Sequence, residues 1–143
     1  MSLERYVKAQ APVYERALDE LKRGHKQSHW MWFVFPQIAG LGNSAMSHAY
    51  AIQSLEEARE YLAHPVLGAR LRECCGTVLA LNDKTAHEIF RSPDDLKFRS
   101  CLTLFAHAAP DESLFDELLV KYFASQEDPA TLEVLAGKAS DSL

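Results

Sequence analysis

His29-Trp30-Met31-Trp32-Phe33-Val34-Phe35-Pro36-Gln37-Ile38-Ala39-Gly40-Leu41-Gly42-Asn43-Ser44 is the stretch on which the fold class turns, because Trp30 to Phe35 is the one candidate strand in the chain. That run is apolar on both sides and too short for periodicity to separate a strand from a buried helical turn. The patterns on either side of it are helical, and on that context it is read as helix. No alternation elsewhere is long enough to define a sheet. The expected fold is all-α: a single compact domain spanning residues 1–143, with about seven helices, no substantial sheet, and frayed ends at 1–4 and 137–143.

Upstream, Val7, Val13, Tyr14, Ala17, Leu18 and Leu21 fall on one helical stripe, with Glu4, Lys8, Glu15, Asp19 and Lys22 largely opposite. This predicts a first helix from Leu3 to Lys22. Pro12 lacks a backbone donor and predicts a kink or break there, and Gly24 ends the helix. Downstream, helix starts recur. Ser44 caps a helix running through His48 and Tyr50, and Ser54 with Glu57 has capping-box spacing ahead of a helix to Ala63. His64-Pro65 opens a helix to about Leu81. Thr85 with Glu88, then Ser92-Pro93-Asp94-Asp95, start two more. Asp111 precedes Leu114, Leu118, Leu119, Tyr122 and Phe123, and Asp128-Pro129 opens a short last helix to Leu135.

Composition bounds the function. With 48% hydrophobic and 24% charged residues the chain is an ordinary globular one, large enough for one core. Its net charge of -5 is opposite to the field a phosphate-tracking protein needs, so general nucleic-acid binding is not expected, while small anionic ligands stay open. Charged Glu4, Arg5 and Lys8 deny the N-terminus an export signal, and no apolar run reaches the roughly 20 residues of a membrane helix. A cytoplasmic, membrane-free protein is expected. The three cysteines, Cys74, Cys75 and Cys101, are odd in number and sit in apolar helical patterns, which reads as buried thiols.

The opening stretch also concentrates the candidate chemistry. Both tryptophans of the chain, Trp30 and Trp32, lie in it, flanked by His29 and Gln37. They form either the centre of the core or an aromatic wall with polar corners that suits a planar ligand. Gly40 and Gly42 let a ligand approach the backbone, and the helix start at Ser44 offers amides to a phosphate or carboxylate. Lys97, in the mixed-charge cluster with Asp94, Asp95, Arg99 and Ser100, is the candidate cation. His29, His48 and Asp95 are the candidate acids or bases, each with a purely structural alternative. No cofactor is implied. No metal is expected, since His25 and His29 are four apart without a nearby Cys, Asp or Glu to complete a site.

Ala9-Gln10, His29-Trp30-Met31-Trp32, Phe35-Pro36-Gln37, Gly40-Leu41-Gly42, Ser44, His64-Pro65, Leu67-Gly68, Asp95, Lys97, Ser100 and Thr103-Leu104-Phe105 together resemble the DUF1810 family over about Tyr6 to Leu135. The resemblance implies an all-helical fold and supplies no catalytic residue. Cys101 and Leu102 stand where that family's pattern has serine and methionine. Ser47 to Gln53 and His64 to Arg70 are also similar to segments of the helical NADAR family, which acts on ADP-ribosyl groups and has a glutamate at the place of Ser47. Two functions follow as expectations. One is a binder or hydrolase of a small nucleotide-like anion, such as an ADP-ribose derivative; the other is a non-catalytic interaction or scaffolding module. Oligomeric state is not legible in the sequence.

Overall fold

The computed structural model describes the backbone of residues 3–141 and the side chains of residues 3–137. Among these residues it is helical throughout: α1 Glu4–Gln10, α2 Tyr14–Lys22, α3 Met31–Val34, α4 Ala45–Ala49, α5 Leu55–Ala63, α6 Leu67–Leu79, α7 Ala86–Phe90, α8 Asp94–Ala108, α9 Leu114–Phe123 and α10 Pro129–Asp141. Among the described residues the single β-type feature is an isolated parallel bridge between Ile38 and Ile52.

Ten helices replace the expectation of about seven. Pro12 divides the first stripe into α1 and α2, as its missing donor predicts. The aromatic run contributes the one-turn α3 and the Ser44 cap the five-residue α4, both too brief to leave an amphipathic period. The last helix continues to Asp141, past the Leu135 expected of it. Residues 1–2 and 142–143, at the ends expected to fray, lie outside the described residues.

The caps at Ser44, Ser54 and Thr85 have their atoms in place, whereas the cap expected at Ser92 is absent: α8 begins at Asp94 behind Pro93, without a side-chain cap. Thr85 and Glu88 form a complete capping box, Ser44 Oγ accepts from Ser47 N, and Ser54 Oγ accepts from Glu57 N. Glu57 departs from the box: its carboxylate accepts from the amide of Gln53 instead. His64 folds its ring back so that Nδ1 accepts from Val66 and Leu67, opening α6 at Leu67 rather than at Pro65.

The core is built on α8, which packs against α5, α7, α9 and α10. Phe98 and the run from Ser100 to Ala106 are all buried, so over that run the helix shows no solvated face, while Leu96 near its start is exposed. Phe90, Phe35 and Phe98 meet there, with ring centroids 4.6 Å apart between Phe90 and Phe98 and 4.9 Å between Phe35 and Phe98. The free cysteines are buried. Desolvation pushes the Cys74 thiol up to about 12 and raises those of Cys75 and Cys101 well above the ordinary range. All three behave as small hydrophobes rather than nucleophiles.

Candidate functional site

The chain between Gln37 and Ile52 is a loop closed at its base. Ile52 N donates to Gln37 O and Ala39 N donates to Ile52 O, both at 2.8 Å. From outside, Arg5 on α1 grips the return of this loop, donating to Ala49 O and Ala51 O at 3.0 Å while its guanidinium pairs with Glu57. Tyr6 donates to Tyr50 O at 2.8 Å. Pinned at both ends, the loop arches away from the core and leaves a cleft beneath it.

That cleft has a volume of about 290 Å³ and is walled by Trp32, Gln37, Gly40, His48, Tyr50 and Gln53 together with loop backbone. Trp32 reaches it because α3 is a single turn: Met31, Phe33 and Val34 point into the core, which leaves Trp32 half-buried at its rim. Gly40 has φ +104°, a region that side-chain-bearing residues rarely enter. Gly42 is required for a different reason, since a Cβ there would lie 2.5 Å from Ser47 Oγ. The two glycines thus shape the loop and let α4 lie close against it.

A second depression of about 230 Å³ adjoins the first along Gln37, Leu41, Gly42 and Ser47. Lys97, Ser100 and Asp128 lie on its far side. Lys97 Nζ stands 5.6 Å over the Trp32 ring and 3.6 Å from Asp94 Oδ1, with about a quarter of its side chain exposed. Asp94 is held more closely by Lys26, at 2.9 Å.

The structure therefore sets Trp32, Gln37, Gly40, Gly42 and His48 on the larger depression and Gln37, Gly42 and Lys97 on the smaller one that adjoins it. Four other candidates lie elsewhere. Trp30 is fully buried and donates its indole N–H to Glu20 at 2.9 Å. His29 is exposed and lines neither depression. Asp95 accepts from Leu96 N and faces His87 at 3.5 Å. Ser44 spends its hydroxyl as the cap of α4, a helix too short to form an anion site at its start. Tyr50, Ser47, Gln53 and Asp128 are lining residues that the sequence reading did not name as site residues. Ser47, Tyr50 and Gln53 had only the resemblance of the segment Ser47 to Gln53 to point to them, and Asp128 a helix-cap signal that pointed to structure.

Glu20 is the other residue the sequence left unmarked. It sits on α2, 4% exposed, and accepts from Gln27 N, Ser28 N, Ser28 Oγ and Trp30 Nε1. Burial alone would raise its carboxyl; the four hydrogen bonds outweigh burial and hold it down at about 2. This carboxylate organises the turn between α2 and α3. Among the described residues no group of three His, Cys, Asp or Glu is placed to hold a metal, and no helix is long and apolar enough to cross a membrane.

Comparison with known proteins agrees with this frame. The crystal structure of the conserved hypothetical protein Rv1873 from Mycobacterium tuberculosis superposes with a TM-score of 0.92 at 51% sequence identity, covering 94% of this chain and 96% of that one. No curated protein matches the chain. The model of the family described as protein of unknown function (DUF1810) matches residues 1–135, and the chain belongs to that family.

Proposed function

We propose that the two adjoining depressions form one cleft that binds a small, planar, nucleotide-like anion. The observation that carries this reading is the convergence of Trp32, Gln37, His48 and Lys97, brought from α3, the closed loop, α4 and α8, on these two depressions. An indole wall supports a flat ring, amides of Gln37 and Gln53 suit its polar edge, and a loosely paired ammonium suits its charge. The similarity of Ser47 to Gln53 to an ADP-ribosyl-processing family makes an ADP-ribose derivative the first ligand to test.

Binding is favoured over hydrolysis by how few carboxylates the two depressions carry. Together they are lined by one, Asp128, whereas glycosidic cleavage ordinarily uses a pair. His48 is the imidazole of that lining, and any turnover would rest on it. A protein-docking role receives less support, since the exposed large apolar residues, Met46, Val66, Leu96 and Val120, are distributed over separate elements.

The test is a thermal-shift screen with ADP-ribose and nucleotides. A saturable rise in melting temperature that is lost in Trp32→Ala supports the reading. No rise at millimolar concentration overturns it.

A further inference from the structure

The smaller depression asks for something other than a flat ring. Asp128, 9% exposed, is fixed on its floor: Oδ2 accepts from Ser100 Oγ at 3.0 Å, Thr131 N at 3.0 Å and Thr131 Oγ1 at 2.6 Å, while Asp128 N donates to Thr103 Oγ1 at 2.9 Å. Among the described residues Oδ1 meets only Arg99 Nη2, at 3.6 Å, longer than a hydrogen bond. A rigid carboxylate with one oxygen saturated and the other held only by a long ion pair presents an acceptor and no donor. It matches a hydroxyl. Among the described residues Arg99 Nε is itself buried without a hydrogen-bond partner.

Lys97 gives the same depression a cation with unspent capacity. Its ammonium has three donors, and its partners are Asp94 Oδ1 at 3.6 Å, on a carboxylate whose other oxygen pairs with Lys26 at 2.9 Å, and the face of Trp32. Trp32 is also a wall of the larger depression, so the cation stands between the two.

Size points the same way. At about 290 and 230 Å³, the two depressions lie at and just below the lower end of the roughly 300–1,000 Å³ of ordinary small-molecule sites, and they share Gln37, Leu41, Gly42 and Ser47 as lining. A ligand of two linked parts fills such a space.

We propose that the depression around Asp128 is a sugar subsite: Asp128 Oδ1 accepts from a ribose hydroxyl, Lys97 pairs with the adjoining phosphate, and the base lies against Trp32. The ligand class is then a ribonucleotide, as opposed to a free nucleobase or an aromatic carboxylate. This rests on the nucleotide-like reading above and narrows it.

The experiment alters the ligand in place of Asp128, because Asp128 also caps α10. The 5′-monophosphates of adenosine, guanosine, cytidine and uridine are titrated into the full chain by calorimetry. The best binder is then compared with its 2′,3′-dideoxy form, with its nucleoside, and with Lys97→Gln protein. Removing the ribose hydroxyls is expected to weaken binding by about tenfold or more. Removing the phosphate is expected to do the same in the native chain and to change nothing in Lys97→Gln. A dideoxynucleotide that binds as tightly as the ribonucleotide overturns the sugar subsite and leaves the planar-anion reading standing, and a phosphate effect that persists undiminished in Lys97→Gln overturns the role of Lys97. Absence of binding by all four nucleotides together with ADP-ribose overturns both readings.

Discussion

Trp30 and Trp32 are two residues apart, and each carries a lysine over its ring, Lys26 at 4.9 Å and Lys97 at 5.6 Å. One carboxylate, Asp94, links the two lysines, at 2.9 Å to Lys26 and 3.6 Å to Lys97. The surroundings then diverge. Trp30 is fully buried, its N–H is taken by Glu20, and Lys26 above it is almost wholly enclosed and also donates to Ser28 O. Trp32 stands at a cleft with a cation whose partners are few. The same pair of residue types thus makes a closed, satisfied cluster on one side of α3 and an open, partly unsatisfied one on the other. What separates them is Glu20, which completes the first cluster and has no counterpart in the second.

The largest expected effect follows from removing that difference. Glu20→Ala leaves three N–H donors and a hydroxyl of the α2–α3 turn without their acceptor. A buried donor left unmade costs about 1–3 kcal/mol, with partial relief by water, so a loss of about 4 kcal/mol in unfolding free energy is expected. Urea denaturation followed by tryptophan fluorescence measures it. A loss below about 1 kcal/mol would break the comparison, since the closed cluster would then not depend on its carboxylate.

The same residue predicts a pH dependence. Its carboxyl titrates near 4.5 in the unfolded chain and near 2 in the folded one, so between these values the unfolded state binds more protons. The contribution of Glu20 is complete above the unfolded value and is lost as pH falls towards 2, in total about 3 kcal/mol. Stability measured from pH 6 down to 2 should therefore fall less steeply in Glu20→Gln than in the native chain. Parallel curves would show that other carboxylates govern acid unfolding.

Asp94→Asn acts on both clusters with opposite signs. Lys26, enclosed, loses its ion pair and keeps Ser28 O and the face of Trp30, which should cost about 2–3 kcal/mol. Lys97 loses a competing carboxylate, so the affinity for a nucleoside monophosphate should rise by about threefold to tenfold, as one nearby like charge is removed from the anion's site. Unfolding and calorimetric titration of the one variant read the two effects. Lower stability with lower affinity would mean that Asp94 positions Lys97 and does not compete for it.

How far the sequence revealed these clusters depends on whether a signal is local. The caps at Ser44, Ser54 and Thr85 and the break at Pro12 act within four residues, and their atoms sit where spacing placed them. Gly42 and Lys97 were legible as residue types that suit a ligand. Glu20 was not, because it sits on the polar edge of an amphipathic stripe and its four donors lie up to ten residues away across a turn. The choice between Trp30 and Trp32 was likewise hidden, since a single helical turn leaves no period from which to tell the core-facing ring from the other. Asp128 was read as a cap, which it is. Its second oxygen acquires a further meaning only when α8 and α10 are brought together.

The smallest expected effect compares the tryptophans directly. Trp30→Phe removes a buried N–H and leaves one Glu20 hydrogen bond unmade along with a void, and should destabilise the chain by about 2 kcal/mol. Trp32→Phe removes an indole from a half-solvated rim and should cost less than about 0.5 kcal/mol. For ligand binding the order inverts, because a phenyl ring at position 32 offers less stacking surface to a planar group while the change at position 30 lies out of the cleft. Measured side by side, the two variants should therefore exchange rank between unfolding free energy and nucleotide affinity. Equal losses of affinity would show that the Glu20 cluster and the cleft are one unit, with Trp30 holding α3 in the position that Trp32 requires.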